Sequence, residues 1–281
     1  MTNPQPASTT PKRERRAIST RVQRVGRMSP HLVRLVLAGD GLRDFPIGAF
    51  TDHYVKLLFP PAGASYRMPF DSEQVRAELP KEQWPSTRTF TVRAFDNENN
   101  ELTIDCVVHG DSGLAGPWAA RAQPGDEIQL LGPGGGYAPS MDADWHLLVG
   151  DASALPAIAL TLARIPAGSP AHAYLYVDDQ AEEQQLPTAA EAHIHWLHRT
   201  EGSADVLLDA VRALEFPPGT VDAFVHGEAG VVRAVRRHLL VERGVPREAL
   251  SASGYWKDGR TDEGWRADKP EWKREAALDE Q

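Results

Sequence analysis

Cysteine is almost missing from this 281-residue chain, Cys106 being the only one. A single thiol excludes an internal disulfide, a Cys-rich zinc site and an iron–sulfur cluster held by one chain. Cys106 sits in the apolar run Ile104-Asp105-Cys106-Val107-Val108, where a small buried hydrophobe is expected rather than a redox thiol. Electrons for any redox chemistry must therefore come from elsewhere. No apolar stretch approaches the ~20 residues of a membrane span. Residues 1–16 lack the apolar segment of a secretory signal. They are polar and basic, with Pro4 and Pro6, and read as a disordered tail on a protein kept in the cytoplasm. A basic surplus is absent too: 30 Lys and Arg against 39 Asp and Glu leave a formal charge of −9, which argues against nucleic acid as a partner. An anionic ligand would need a local basic patch to overcome that field. Also missing is a Gly-x-Gly-x-x-Gly fingerprint. Gly132-Pro133-Gly134-Gly135-Gly136 is glycine-rich but lies between two patterns rather than between a strand and a helix, and reads as a hinge or turn.

What is present divides into two rhythms, enough chain for two domains, expected at 17–141 and 142–281. From Ala17 to about Ser140, short alternating strands are broken by Gly, Pro and Asn: 19–25, 32–37, 53–59, 89–94, 102–108 and 127–131, with Asn97-Glu98-Asn99-Asn100 as a hairpin turn. Six strands with little helix predict a small antiparallel β-barrel. One helix is expected over 116–122, after a glycine-rich turn whose backbone N–H groups could take a pyrophosphate or simply supply a loop with φ > 0. Near Trp145 the pattern changes. Trp145-His146-Leu147-Leu148-Val149 is a continuous apolar run ending in Gly150, as in a strand buried on both faces. A helix follows, with Ser153 as its cap, Pro156 in its first turn and Leu155, Ile158 and Leu162 on one face. Strands at 173–177, 193–197 and 221–226 alternate with helices at 204–214 and 231–243, the last closing at Gly244. Such alternation predicts a parallel α/β sheet, whose ligands bind at the carboxyl ends of the strands, where Gly150-Asp151 and Gly227-Glu228 lie. Trp265 and Trp272 are expected to anchor a terminal helix.

The stretch Arg88-Thr89-Phe90-Thr91-Val92-Arg93 carries the chemistry. On a strand Arg88 and Phe90 point the same way, a cation and an aromatic plane about 7 Å apart, so an anionic phosphate and a flat ring could sit there together. Thr91 adds a hydroxyl and an N–H, able to bond an isoalloxazine edge or a neighbouring strand. Taken alone, the same residues describe a half-exposed strand.

Downstream come His109-Gly110-Asp111-Ser112-Gly113-Leu114-Ala115-Gly116-Pro117-Trp118, then Gly150-Asp151-Ala152-Ser153-Ala154-Leu155-Pro156, His226-Gly227-Glu228-Ala229-Gly230 and Gly254-Tyr255-Trp256. This ordered set closely resembles the siderophore-interacting protein family, flavin-dependent ferric-siderophore reductases of the ferredoxin-reductase-like superfamily, from about Ala17 to about Trp265. The resemblance implies a barrel that seats FAD followed by an α/β NAD(P)-binding-like domain. It implies FAD contacts from Arg88, Phe90, Thr91, His109, Gly113, Leu114, Ala115, Gly116, Trp118, Asp151, Ser153, Ala154, Tyr255 and Trp256. Phe90 stands where the family has tyrosine, which keeps the ring and loses one hydrogen bond, a change of about 1 kcal/mol. Leu114 and Gly116 replace a proline and a serine, so one phosphate contact depends on the Gly116 N–H. Ala152 replaces a glutamate.

Lys56, Lys257 and Arg260 are the candidates for a basic patch holding an anionic ferric siderophore. Asp178 and Asp179 follow the second strand of the nucleotide domain, where a carboxylate accepts from a ribose 2′-OH and repels a 2′-phosphate; with Glu228 they form the expected nicotinamide site and favour NADH. A ferredoxin is the other donor the resemblance allows. His193 and His195 share a strand face but His198 falls on the opposite one, so no metal site is expected. The flavin would carry the chemistry, with no protein residue acting as acid or base. Two rival readings remain at this point. One is a flavin reductase with another acceptor, and the other is a siderophore-binding module that has lost its cofactor.

Overall fold

The computed structural model describes residues 17–108, 110, 113–199 and 205–279. The expected tail at 1–16, and His109, Asp111 and Ser112 of the glycine-rich turn, lie outside the described residues.

Six antiparallel strands close into a barrel: β1 (Ile18–Ser29), β2 (Leu32–Ala38), β3 (Tyr54–Phe59), β4 (Ser86–Asp96), β5 (Glu101–Val107) and β6 (Glu127–Gly134), in the order β1-β2-β5-β4-β3-β6. Their inward residues, among them Leu35, Leu37, Val55, Leu57, Ile104, Cys106 and Leu130, form one buried cluster. Cys106 is fully buried, and desolvation pushes its thiol pKa up. The short helix α1 (Ser72–Glu78) has no counterpart in the sequence reading. Asp71 caps it, accepting from the backbone N–H groups of Glu73 and Gln74 at 2.8 and 3.2 Å. Helix α2 (Ala115–Arg121) plugs one side of the barrel, with Trp118 edge-on to Phe59 at 5.6 Å.

The glycine-rich segment expected to be a hinge is instead the end of β6, which runs to Gly134. Glycine is required there because the Tyr54 ring lies on it: a Cβ at Gly134 would come within 2.3 Å of Tyr54 Cζ.

The second unit is a five-stranded parallel sheet in the order β11-β10-β7-β8-β9. Its strands are β7 (Trp145–Asp151), β8 (Pro170–Val177), β9 (Glu191–His198), β10 (Val221–Glu228) and β11 (Leu250–Trp256). All of β7 is buried because helices cover both faces. On one face pack α4 (Asp205–Ala213), α5 (Ala229–Arg237) and α6 (Asp262–Leu278), which contributes Trp265 and Trp272. On the other packs α3 (Leu155–Arg164). A π-helical turn, His238–Glu242, extends α5 toward Gly244, whose φ of +67° ends the segment.

The two units are joined by specific contacts. Helix α3 lies along β4, and the hydroxyls of Thr161 and Thr51 are 2.8 Å apart. Tyr137 donates to Asp222 at 2.9 Å, and Glu182 accepts from the His31 N–H at 2.9 Å and from the Ser29 hydroxyl. Helix α6 returns to the barrel, where Arg266 donates to Thr87 O at 2.6 Å. No helix among the described residues is long and apolar enough to cross a membrane.

Candidate functional site

Beginning at β4, Phe90 pairs across to Val55 and packs against the barrel core, while Thr91 pairs with Tyr54 and is buried. Arg88 pairs with Leu57, and its guanidinium is claimed by α6, donating to Glu263 Oε1 at 2.6 Å and to Asp262 Oδ2 at 3.4 Å. Two carboxylates thus stand where the strand pattern expects a phosphate. Around the glycine-rich turn, Gly110 and Gly113 have φ of +56° and +82°, and a Cβ at either would meet nothing within 4 Å. That backbone faces open space, in the conformation that favours glycine. Leu114, exposed at the N-cap of α2, places no side chain on the first-turn N–H groups, and Ala115 and Gly116 lie half-buried beside it. Trp118 belongs to the barrel packing.

At the end of β7 the structure departs from expectation. Ser153 does not cap α3; its N–H and hydroxyl both go to Asp151 Oδ1, at 2.9 and 2.5 Å. Asp151 Oδ2 accepts from the Glu228 N–H at 2.7 Å and from Trp256 Nε1 at 2.8 Å. The buried carboxylate is therefore filled by protein donors, although desolvation still raises its pKa. Gly227 makes this possible: its φ is +138°, and a Cβ there would lie 2.6 Å from Asp151 Oδ2. Ala154 is fully buried against Gly150 and presents no surface to a ligand. The Asp151 carboxylate and the Ser153 N–H and hydroxyl are thus engaged within the turn itself. Trp256 is 42% exposed. Tyr255 lies beside it, edge-on to His226 at 5.0 Å, and desolvation together with Asp52 and Asp151 pushes its phenol pKa up.

The order of the sheet reverses between β7 and β10, where a ligand crevice is expected. A cleft of about 500 Å³ opens there, walled by Gly150, Asp151, Tyr176, Arg199, Glu228, Val231 and Trp256. Of the three expected nicotinamide contacts, only Glu228 reaches it. Glu228 caps α5, accepting from the Val231 N–H at 2.9 Å, and also accepts from the Asp258 N–H at 3.2 Å. Asp179 caps a 3₁₀ turn through Ala181 N–H. Asp178 is held by Arg199 and by His31 Nδ1 at 3.1 Å, so the bare carboxylate on which the NADH preference rested is not there.

The basic residues converge differently from expectation. Lys257 is exposed and Arg260 is paired with Asp268 at 2.9 Å. From α6, Lys269 acts electrostatically with Lys56 of β3, as does Asp262, which pairs with Arg266 at 2.8 Å. Burial, with Lys273, Lys56 and Arg266 nearby, pulls the Lys269 pKa down to about 8. Lys269 Nζ donates to Gly254 O at 2.7 Å. Arg266, Lys269 and Lys273 are spaced i, i+3, i+7, one helix face, a signal the sequence carries. His193 and His195 share a face, both stacking on His172 at 5.1 and 6.4 Å, with His195 also on Tyr174 at 4.6 Å, while His198 meets Glu183 at 2.9 Å.

A model of the siderophore-interacting FAD-binding domain matches residues 21–137, and a model of the siderophore-interacting protein matches residues 143–259. The chain is 35% identical to the ferric vibriobactin reductase ViuB of Vibrio cholerae, over 86% of this chain and 90% of that protein. This chain belongs to the siderophore-interacting protein family. A member from Escherichia coli, named NADPH-dependent ferric-chelate reductase, is 32% identical over 84% of this chain and 91% of its own. The structure of the siderophore-interacting protein SipS of Aeromonas hydrophila superposes with a TM-score of 0.77 at 31% identity, covering 92% of this chain and 99% of that one. Within the family the FAD-binding barrel is the first unit, and the positive-φ glycine backbone at Gly110 and Gly113, with open space where a Cβ would stand, fits that cofactor in this chain.

Proposed function

We propose that this siderophore-interacting protein reduces Fe³⁺ held in an anionic siderophore, in the cytoplasm, with electrons from a reduced nicotinamide dinucleotide. The reading is carried by the two-unit family match, with Lys269 of α6 within electrostatic reach of Lys56 as support. The names of the Vibrio and Escherichia relatives support the reaction class, and the second supports a nicotinamide donor.

When bound, FAD supplies the redox chemistry, accepting a hydride and returning electrons singly to iron. The protein supplies position and field. Phe90, Thr91 and Tyr255 would border the ring, and the backbone at Gly110 and from Gly113 to Gly116, with Arg88, would take the phosphates. Lys56 and Lys269, with Arg266 and Lys273, draw the anionic chelate toward that ring against a chain charge of −9. No residue needs to move a proton at the iron, because Fe²⁺ is held weakly by ligands suited to Fe³⁺. The donor enters by the β7–β10 cleft, where Glu228 and Trp256 form one wall.

The test is steady-state Fe²⁺ release into a chromogenic trap from hydroxamate, catecholate and citrate complexes. Release that requires both FAD and the reduced nicotinamide is expected. A flavin-loaded protein that oxidises the nicotinamide but leaves every ferric chelate intact would mean that the acceptor is something else.

A further inference from the structure

Among the described residues lining the β7–β10 cleft, Arg199 is the single Lys or Arg. The other charged side chains there are carboxylates, and two are already engaged. Asp151 has its four protein donors, and Glu228 accepts from Val231 and Asp258. The capping by Glu228 also sets a carboxylate at the N-terminus of α5, engaged with the Val231 N–H. Arg199 lies just past β9, and its guanidinium is tethered by Asp178, just past β8. The end of that second strand is where a dinucleotide fold meets the adenosine ribose, with a carboxylate for a 2′-OH or an arginine for a 2′-phosphate. Here the carboxylate is turned into a holder for the arginine, and His31 Nδ1 lies 3.1 Å from its other oxygen. A tethered guanidinium keeps further N–H groups for a second oxyanion, the fork that suits phosphate. Tyr176, on the same rim, feels the Arg199 charge and sets an aromatic plane beside it.

We infer that Arg199 selects the electron donor, binding the 2′-phosphate of a phosphorylated adenosine ribose, so that NADPH is used in preference to NADH. This rests on the reading of the cleft as the donor site. It reverses the preference that the bare sequence around Asp178 suggests.

Calorimetry on the full, FAD-loaded chain with 2′,5′-ADP and 5′-AMP, which differ only in the 2′-phosphate, tests it. The 2′,5′-ADP is expected to bind at least about tenfold more tightly, the ratio one charge-assisted hydrogen bond supplies. In R199A that ratio falls to near one, in R199K part of it survives, and the NADPH to NADH ratio of kcat/KM moves in step. Equal binding of the two nucleotides, or a ratio unchanged in R199A, overturns the inference while the nicotinamide-donor reading stands. Failure of either nucleotide to bind, with neither NADPH nor NADH reducing the protein, overturns both. Arg199 is more than half exposed, so its replacement does not threaten folding.

Discussion

His226 is a titratable ring kept neutral by its surroundings. It stacks on Phe224 at 3.8 Å, and burial next to Lys269 depresses its pKa to about 3. The unfolded chain takes up a proton near pH 6.5, whereas the folded chain does so only near pH 3. Stability from this site is therefore complete above about pH 6.5 and is lost as the pH falls, at roughly 1.4 kcal/mol per pH unit. Urea denaturation at pH 7 and pH 5 should show a smaller difference for H226Q than for the parent chain; the same difference in both would exclude His226 as the source. Asp151 makes a different prediction. D151A leaves the Glu228 N–H and the Trp256 indole without their acceptor, and a loss of about 3 kcal/mol in the same assay is expected, with D151N milder. At Arg88 the competition with Glu263 is testable by equilibrium dialysis of FAD. R88A should weaken FAD about tenfold, the loss of one charge-assisted contact, and E263Q should not. Weakening by E263Q as large as by R88A would mean that the pair, and not the cation, serves the cofactor.

Among the elements, those whose pattern is local were legible in the sequence. The run Trp145–Gly150 is apolar because both faces of β7 are covered, and the period-two strands of the barrel follow from one face being core. Strand β11 was not identified as a strand. Ser251-Ala252-Ser253-Gly254 has no large apolar residue, since Gly254 is pressed between Ala229 and Trp265, with 2.9 Å to each from a would-be Cβ. Helix α6 was legible as a helix but not as part of the site. Its contact with Arg88 spans 174 positions, and no local pattern encodes it. Its cation face yields a pH prediction. Lys269 loses its charge as the pH rises through about 8, so affinity for an anionic ferric chelate should fall between pH 7 and 9, and fall less in K269Q. Fluorescence quenching titrations at the two pH values read this, and an identical pH dependence in K269Q would remove Lys269 from the patch.

Across the whole molecule, the barrel and the parallel sheet are complementary halves of one redox device, joined along α3 and β4 and strapped by α6. The motifs made the barrel and the parallel sheet legible. They did not reveal that the Asp151 carboxylate is saturated by protein donors, since saturation is a property of three-dimensional neighbours. Nor did they show that Arg260 is paired with Asp268 while Lys269 of α6 lies within electrostatic reach of Lys56. The central claim is transfer of electrons from the bound flavin to siderophore iron. Its most direct test is anaerobic mixing of the chemically reduced, FAD-loaded protein with ferric siderophore in a stopped-flow instrument. The account predicts return of the oxidised-flavin absorbance in step with Fe²⁺ capture, two ferric ions consumed for each flavin. A flavin that stays reduced in the presence of every ferric chelate would contradict it.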